Sequence, residues 1–389
     1  MTCPICRSTR RITLDRRSRI PVLMHNLFDD RDSARDCPVG DVDLVRCLEC
    51  GFAWNAAFDS DRMVYGPDYD NCQSHSPAFR AHVDDCAGAV VAARPELTAP
   101  HVVEVGAGQG TFLERIEAIG AARVGALTGF DPAWRGADGA GPGRARIYRQ
   151  YFSPASIAVL ETPPDVVVSR HTIEHVPDPL QFLIDIRRSI GDHKGVDLFV
   201  ETPDIEWIVQ HGALEDVFYE HCSLFDAESL ALAMEMAGFG DVRVETRFGE
   251  QYLWAHGRSI AAPAVGRRAR PVSPATIDTE RSVAGWRQRL QSVSAAGRRT
   301  IVWGAGAKGM TFAQIVDPDA RLIDAIVDIN PGKQGRFIGA SGHAVVAPAA
   351  LRVLRPDTVV VMNPVYADEI RTTIAQMGLQ VSLLTLHEM

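Results

Sequence analysis

A strand that runs into a glycine loop and out into a helix occurs twice in this chain, at 101–113 and at 300–309, and no other feature limits its fold so strongly. The first copy reads His101-Val-Val-Glu-Val-Gly-Ala-Gly-Gln-Gly-Thr-Phe-Leu113, with a helix expected from about Thr111. Glycines at 106, 108 and 110 let the backbone pass close to a ligand with its N–H groups facing it, although a tight turn can use glycine with no ligand at all. The second copy reads Ile301-Val-Trp-Gly-Ala-Gly-Ala-Lys-Gly309. Apolar strands follow each loop, at 126–130, 164–169 and 196–200 after the first, and at 323–327 and 358–362 after the second, with a helix at 180–190. Such alternation predicts α/β units with parallel sheets.

Two acids sharpen the first loop. Glu104 stands two residues before the first glycine, where a carboxylate can hold a cationic amine. Asp131 ends the next strand, where ribose hydroxyls would lie. In the second copy Asp328 takes the equivalent place, but Lys308 is unusual in a nicotinamide fingerprint, so a structural or substrate-binding role is expected there rather than a second cofactor.

Of eight cysteines, seven lie in the first 86 residues, and four form the pairs Cys3-Pro-Ile-Cys6 and Cys47-Leu-Glu-Cys50. Two intervening residues let both thiolates of a tight turn point at one ion, and two such knuckles complete an S4 shell suited to Zn2+. Four thiolates leave no open position for water or substrate, so the zinc is expected to be structural. Cys37 is a spare thiol that could displace one of the four.

A length of 389 residues implies two or three domains. A formal charge of −9 argues against a general nucleic-acid or anionic-membrane binder. No apolar run approaches the roughly 20 residues of a membrane span, and the polar N-terminus is no signal peptide, so a cytoplasmic location is expected. Arg7, Arg10, Arg11, Arg16, Arg17 and Arg19 form a local basic cluster that keeps an RNA-directed alternative open.

The ordered set of strands, the Glu-x-Gly-x-Gly-x-Gly loop and the strand-end acid resemble the class I S-adenosylmethionine-dependent methyltransferases over about 80–260. That resemblance implies that Glu104, Gly106, Gly108 and Gly110 border the methionine part of the cofactor, that Asp131 binds ribose and that Phe152 borders adenine. The larger combination resembles the three-part C-methyltransferases that act on nucleotide-linked 4-keto-deoxysugars in antibiotic pathways. Its marks are the paired knuckles, the loop 304–309, Asp328-Ile-Asn-Pro-Gly-Lys-Gln-Gly335, and Tyr219-Glu220-His221 before Ser223. The implied architecture is a class I methyltransferase Rossmann-like core with a small N-terminal zinc-binding domain and a C-terminal Rossmann-like domain. The expected boundaries are 1–75, 76–260, a linker at 261–275, and 276–389.

The same resemblance implies that Tyr65 and Tyr69 join the zinc domain to the cofactor pocket, and that His221 is a base beside Glu220. An imidazole suits removal of an α-proton near pH 7. Two places depart from the family: Phe218 where it carries a tyrosine, and Asn363-Pro364-Val365 where it has Pro-Trp-Asn. Tyr219 is the phenol left to replace the first. His175 is expected to be structural and His171 is left open. The function expected is methylation of a small natural-product intermediate, at carbon through an enolate or else at oxygen or nitrogen, with no nucleic-acid or membrane partner. A binding module without catalysis is the remaining alternative.

Overall fold

The computed structural model describes residues 2–63, 75–191, 193, 195–261 and 270–386. Its centre is a seven-stranded sheet in the order Phe239–Arg247, Tyr252–Ser259, Asp197–Pro203, Val166–Arg170, Val102–Val105, Leu127–Phe130, Arg146–Tyr148. The last five strands run parallel. The first two form an antiparallel hairpin on the edge beside Asp197–Pro203. Parallel strands buried on both faces must be apolar throughout, and Val102, Val103, Val166, Val167 and Val168 supply this. Local sequence sets the helix starts. Asp178 caps Pro179–Ser189 by accepting from the Gln181 N–H, and Asp226 and Ser229 form a capping box on Ala227–Ala237.

The second glycine loop belongs to a separate sheet of five parallel strands, Val345–Val346, Ala325–Val327, Thr300–Trp303, Thr358–Val361 and Ser382–Thr385. Helix Thr279–Ala295 buries Trp286, Leu290 and Val293, while Ile277 is buried one residue ahead of its cap at Asp278. Of the expected linker, residues 262–269 lie outside those described, and Val272 donates its N–H to Leu48.

The N-terminal strands Arg11–Pro21, Val39–Cys47 and Ala53–Asn55 form an antiparallel sheet whose fourth strand, Ser223–Leu224, comes from the central part of the chain. A two-stranded sheet pairs Leu27–Phe28 with Phe337–Ile338. One apolar core accordingly runs through all three parts: Leu14, Ile20 and Met24 pack with Phe218 and Tyr219, and with Trp286, Met310 and Phe312. The segment 205–224 is where the three meet.

Candidate functional site

The first glycine loop connects Val102–Val105 to helix Thr111–Gly120. Gly106, Gly108 and Gly110 have φ of +80°, +54° and +79°, the left-handed region that other residues rarely occupy. A Cβ at Gly106 would lie 1.9 Å from the Thr172 hydroxyl, whereas one at Gly108 would meet no atom within 4 Å. The loop is therefore packed at its first glycine and open at its second. Glu104 is 3% exposed and its Oε2 has no hydrogen-bond partner. Burial pushes its carboxyl up to about 8, against the pull of the Arg170 guanidinium. A buried carboxylate with an unmatched oxygen fits the ammonium of S-adenosylmethionine. Asp131 accepts from the Gly108 and Ala133 N–H groups, both at 2.7 Å, and burial raises it. Phe152 stands edge-on to Phe130 at 5.4 Å, beyond the third strand. Tyr65 and Tyr69 lie outside the described residues.

Thr172 connects this loop to a second space. Its neighbours His171, Glu174 and His175 line a cavity of about 210 Å3 between the central sheet and the second glycine loop. His221 and Phe218 line it too, as do Gly304, Lys308 and Lys333 of the C-terminal part and His25 of the N-terminal part. His171 sits at φ +47°, its Nδ1 3.2 Å from Glu174 Oε1 and its ring edge-on to Tyr252 at 4.6 Å.

His221 is perpendicular to His175 with ring centres 4.8 Å apart, and 4.0 Å from the Phe218 ring. Its Nδ1 has no hydrogen-bond partner. Burial holds its proton affinity well below the ordinary histidine value, and the neighbouring His175, His171 and His25 act in the same direction. Both effects hold this imidazole in its neutral form. Glu220 is fully buried behind it: Oε1 accepts the Met24 N–H at 2.9 Å and Oε2 lies 3.7 Å from His175 Nδ1.

Tyr219 points the other way. Its hydroxyl accepts from the Asp59 N–H at 2.9 Å and donates to the Asp59 carbonyl at 3.2 Å. Its ring packs on Phe58 and so tightly on Gly40 that a Cβ there would come within 2.2 Å. Neither Tyr219 nor Glu220 lines the cavity, although both were expected beside the base. His175, expected to be structural, does line it. Cys222 is buried, its thiol pushed up to about 12 by desolvation.

The second glycine loop approaches itself closely, since a Cβ at Gly309 would lie 1.9 Å from the Gly304 carbonyl oxygen. It feeds helix Ala307–Val316, whose cap residue, Gly306, offers no side chain. Lys308 donates to Asp216 Oδ2 at 2.6 Å and to Gln251 Oε1 at 2.7 Å, with its ammonium 4.9 Å from the centre of the Trp207 ring. Gln251 and Asn363 exchange two amide hydrogen bonds, of 3.0 and 2.9 Å. These contacts fasten the C-terminal sheet to the central one. His25, Asp216 and Gln251 carry no motif. Lys308, Lys333 and Asn363 lie inside segments that mark the family resemblance or depart from it, with no sign of the contacts they make.

The four paired cysteines come together, with all four sulfurs within 4.8 Å of one another, Cys3 and Cys50 at 3.6 Å and Cys6 and Cys47 at 3.5 Å. A tetrahedral ion with Zn–S bonds of about 2.3 Å sets S···S separations near 3.8 Å, so this donor set fits zinc. Cys37 is elsewhere, packed against Gly339. The cluster is braced against the centre. Gly51, at φ +84°, leaves room for the Asp226 carboxylate, and Arg46 pairs with both Asp226 and Glu206. The basic cluster is partly spent internally: Arg17 is buried against Asp15 at 2.5 Å, and Arg16 and Arg10 pair with Asp43 and Glu49.

Residues 79–244 match the family model of a methyltransferase domain, and residues 277–381 that of a C-methyltransferase C-terminal domain. The comparison with curated proteins gives no match. Among solved structures, the chain is similar over 46% of its length to human N-acetylserotonin methyltransferase in complex with SAM, at 13% identity and a TM-score of 0.35, covering 55% of that chain. It is similar over 46% to the N,N-8-amino-8-demethyl-D-riboflavin dimethyltransferase of Streptomyces davawensis, at 17% identity and a TM-score of 0.36, covering 54% of that chain. It is similar over 48% to the CurJ carbon methyltransferase, at 13% identity and a TM-score of 0.36, covering 56% of that chain. The aligned region is thus little more than half of each of these three chains. No described helix is long and apolar enough to cross a membrane.

Proposed function

We propose that the chain, with its methyltransferase domain and C-methyltransferase C-terminal domain, is an S-adenosylmethionine-dependent methyltransferase that methylates a carbon next to the ketone of a nucleotide-linked sugar. The observation that carries this reading is the cavity itself, lined by the neutral imidazole of His221, by Lys308 and by the second glycine loop. A sugar nucleotide needs both a base near its ketone and cations near its phosphates. Lys308, whose ammonium keeps one N–H beyond its bonds to Asp216 and Gln251, and the N-terminus of helix Ala307–Val316 supply the second requirement.

When bound, S-adenosylmethionine supplies an electrophilic methyl group on a sulfonium. Glu104 holds its ammonium, Asp131 its ribose hydroxyls, and Phe152 borders its adenine, while the glycines let the backbone approach. His221 removes the proton: the C–H bond breaks, the proton passes to the imidazole, and the electron pair leaves a carbon–carbon double bond with charge on the former ketone oxygen. That carbon is the nucleophile to which bound S-adenosylmethionine would supply its methyl group, with the ketone restored. The imidazolium returns its proton to water. Glu220 keeps this wall in register by gripping the Met24 backbone beside His175. Cys3, Cys6, Cys47 and Cys50 hold a structural Zn2+ that braces the N-terminal sheet.

The test is transfer from methyl-labelled cofactor to nucleoside-diphosphate 4-keto-6-deoxyhexoses, with the product read by NMR. A new methyl on a carbon bearing no other label supports the reading. Methyl bound to oxygen or nitrogen contradicts it.

A further inference from the structure

A base explains how the proton leaves the acceptor, but charge then accumulates on oxygen, and inside a cavity that charge must be met by fixed donors. Two side chains of the cavity lining have the chemistry to meet this need, and neither belongs to the methyltransferase sheet. His25 comes from the N-terminal part and Lys333 from the C-terminal part, and both line the cavity together with His221. They are 8% and 3% exposed, so both are held inside the protein at the cavity wall.

The segment that carries His25 is fixed from both sides. The buried Glu220 carboxylate accepts the Met24 N–H. Arg336 donates to the Leu27 carbonyl at 2.7 Å, and Leu27–Phe28 pairs with Phe337–Ile338. Arg336 follows Lys333 by three residues, so the strand pairing that holds His25 also holds Lys333. The lysine itself donates to the Ala305 carbonyl at 2.9 Å, which uses one of its three N–H groups and leaves two for a ligand. The two side chains are electrostatically close: after burial, the Lys333 charge is the largest influence holding His25 well below its ordinary value, followed by His175. His25 is thus a neutral imidazole, which donates one N–H without carrying charge of its own.

We propose that His25 and Lys333 together bind the acceptor's ketone oxygen and stabilise the enolate in the cavity that they share with the base. This rests on the carbon-methylation reading above. It gives the N-terminal part a role in the chemistry, because a zinc-braced sheet then delivers one of the two donors. It also gives a reason for the two-stranded sheet between distant ends of the chain. That sheet sets the spacing of a donor pair drawn from residues 25 and 333.

The experiment is proton exchange without methyl transfer. The full-length protein is incubated in D2O with S-adenosylhomocysteine and a nucleoside-diphosphate 4-keto-6-deoxyhexose, and loss of the α-proton is followed by NMR. The wild type is expected to exchange it. His25→Ala and Lys333→Met are expected to slow exchange about 100-fold, with the affinity for the sugar nucleotide, measured by calorimetry, changed less than about threefold. His25→Gln, which keeps an N–H donor, is expected to recover part of the rate. Thermal melting and S-adenosylhomocysteine affinity report whether each variant is folded. Exchange at the wild-type rate in folded His25→Ala and Lys333→Met would overturn the donor pair while leaving His221 as base. Loss of sugar-nucleotide binding in step with the rate would also overturn it, by making both residues simple binding groups. No exchange by the wild type would reject the carbon-acid reading, and the donor pair with it.

Discussion

The two glycine loops are built alike but set among different side chains. In each, an apolar strand enters the loop, and an aspartate at the end of the next strand receives a loop N–H at 2.7 Å: Gly108 to Asp131, and Ala305 to Asp328. Each aspartate also accepts at 2.7 Å from the N–H two residues ahead, at Ala133 and Asn330. The backbones diverge beyond this. The first loop has three left-handed glycines and a carboxylate, Glu104, with an unmatched oxygen. The second has Gly304 alone at positive φ, Trp303 ending its strand, and Lys308 and Lys333 at its mouth. On the function proposed above, one loop architecture would serve opposite ligands, a cationic cofactor and an anionic acceptor, according to the side chains set around it.

Several substitutions would break or sharpen this division. The largest effect is expected from His221→Ala, which should lower kcat by about 10²- to 10⁴-fold with the cofactor Kd unchanged in calorimetry; an unchanged kcat would remove His221 as base. Next, Cys47→Ser should release the bound metal, seen by elemental analysis, and destabilise the protein by about 2–5 kcal/mol in denaturant titration. Full stability without metal would leave the four thiols unexplained.

Glu104→Gln should weaken S-adenosylmethionine about tenfold and flatten its pH dependence. The folded carboxyl titrates near 8 rather than 4.5, so the stability this group contributes is complete below about 4.5 and is lost as pH rises through about 8. The slope is at most about 1.4 kcal/mol per pH unit. Over the same window cofactor affinity should rise, because binding favours the ionised form. Melting curves of wild type and Glu104→Gln from pH 5 to 9 would test the sign, and parallel curves would contradict it. The smallest effect is expected from Tyr219→Phe: a loss of about 0.5–1.5 kcal/mol from the Asp59 bonds, with kcat within about twofold. A large fall in kcat would bring the phenol back into the chemistry.

Both loops, their partner aspartates and the four clustered cysteines were legible because each is set by local chemistry: a strand that must be apolar, a turn that needs positive φ, two thiolates per knuckle. The direction of residues 218–221 was not. Nothing in Phe218-Tyr219-Glu220-His221 says that the first and last face a cavity while the middle two face the N-terminal part. That depends on Gly40 leaving room for the Tyr219 ring and on Met24 presenting an N–H to Glu220. His25 was invisible for a similar reason, since a two-residue strand such as Leu27–Phe28 has no periodicity to read. Ser223–Leu224, which completes the N-terminal sheet, shares that property. Lys308 stood out as a charge in the wrong place for a nicotinamide loop, but its partners Asp216 and Gln251 are 92 and 57 residues away and become neighbours only in the fold.

The division of labour between the loops is tested most directly by calorimetric titration of Lys308→Met with two ligands, S-adenosylhomocysteine and a nucleoside diphosphate. The expected result is a nucleotide affinity lowered at least about tenfold and an S-adenosylhomocysteine affinity within twofold of wild type. Unchanged nucleotide binding, or equal loss of both ligands, would contradict it.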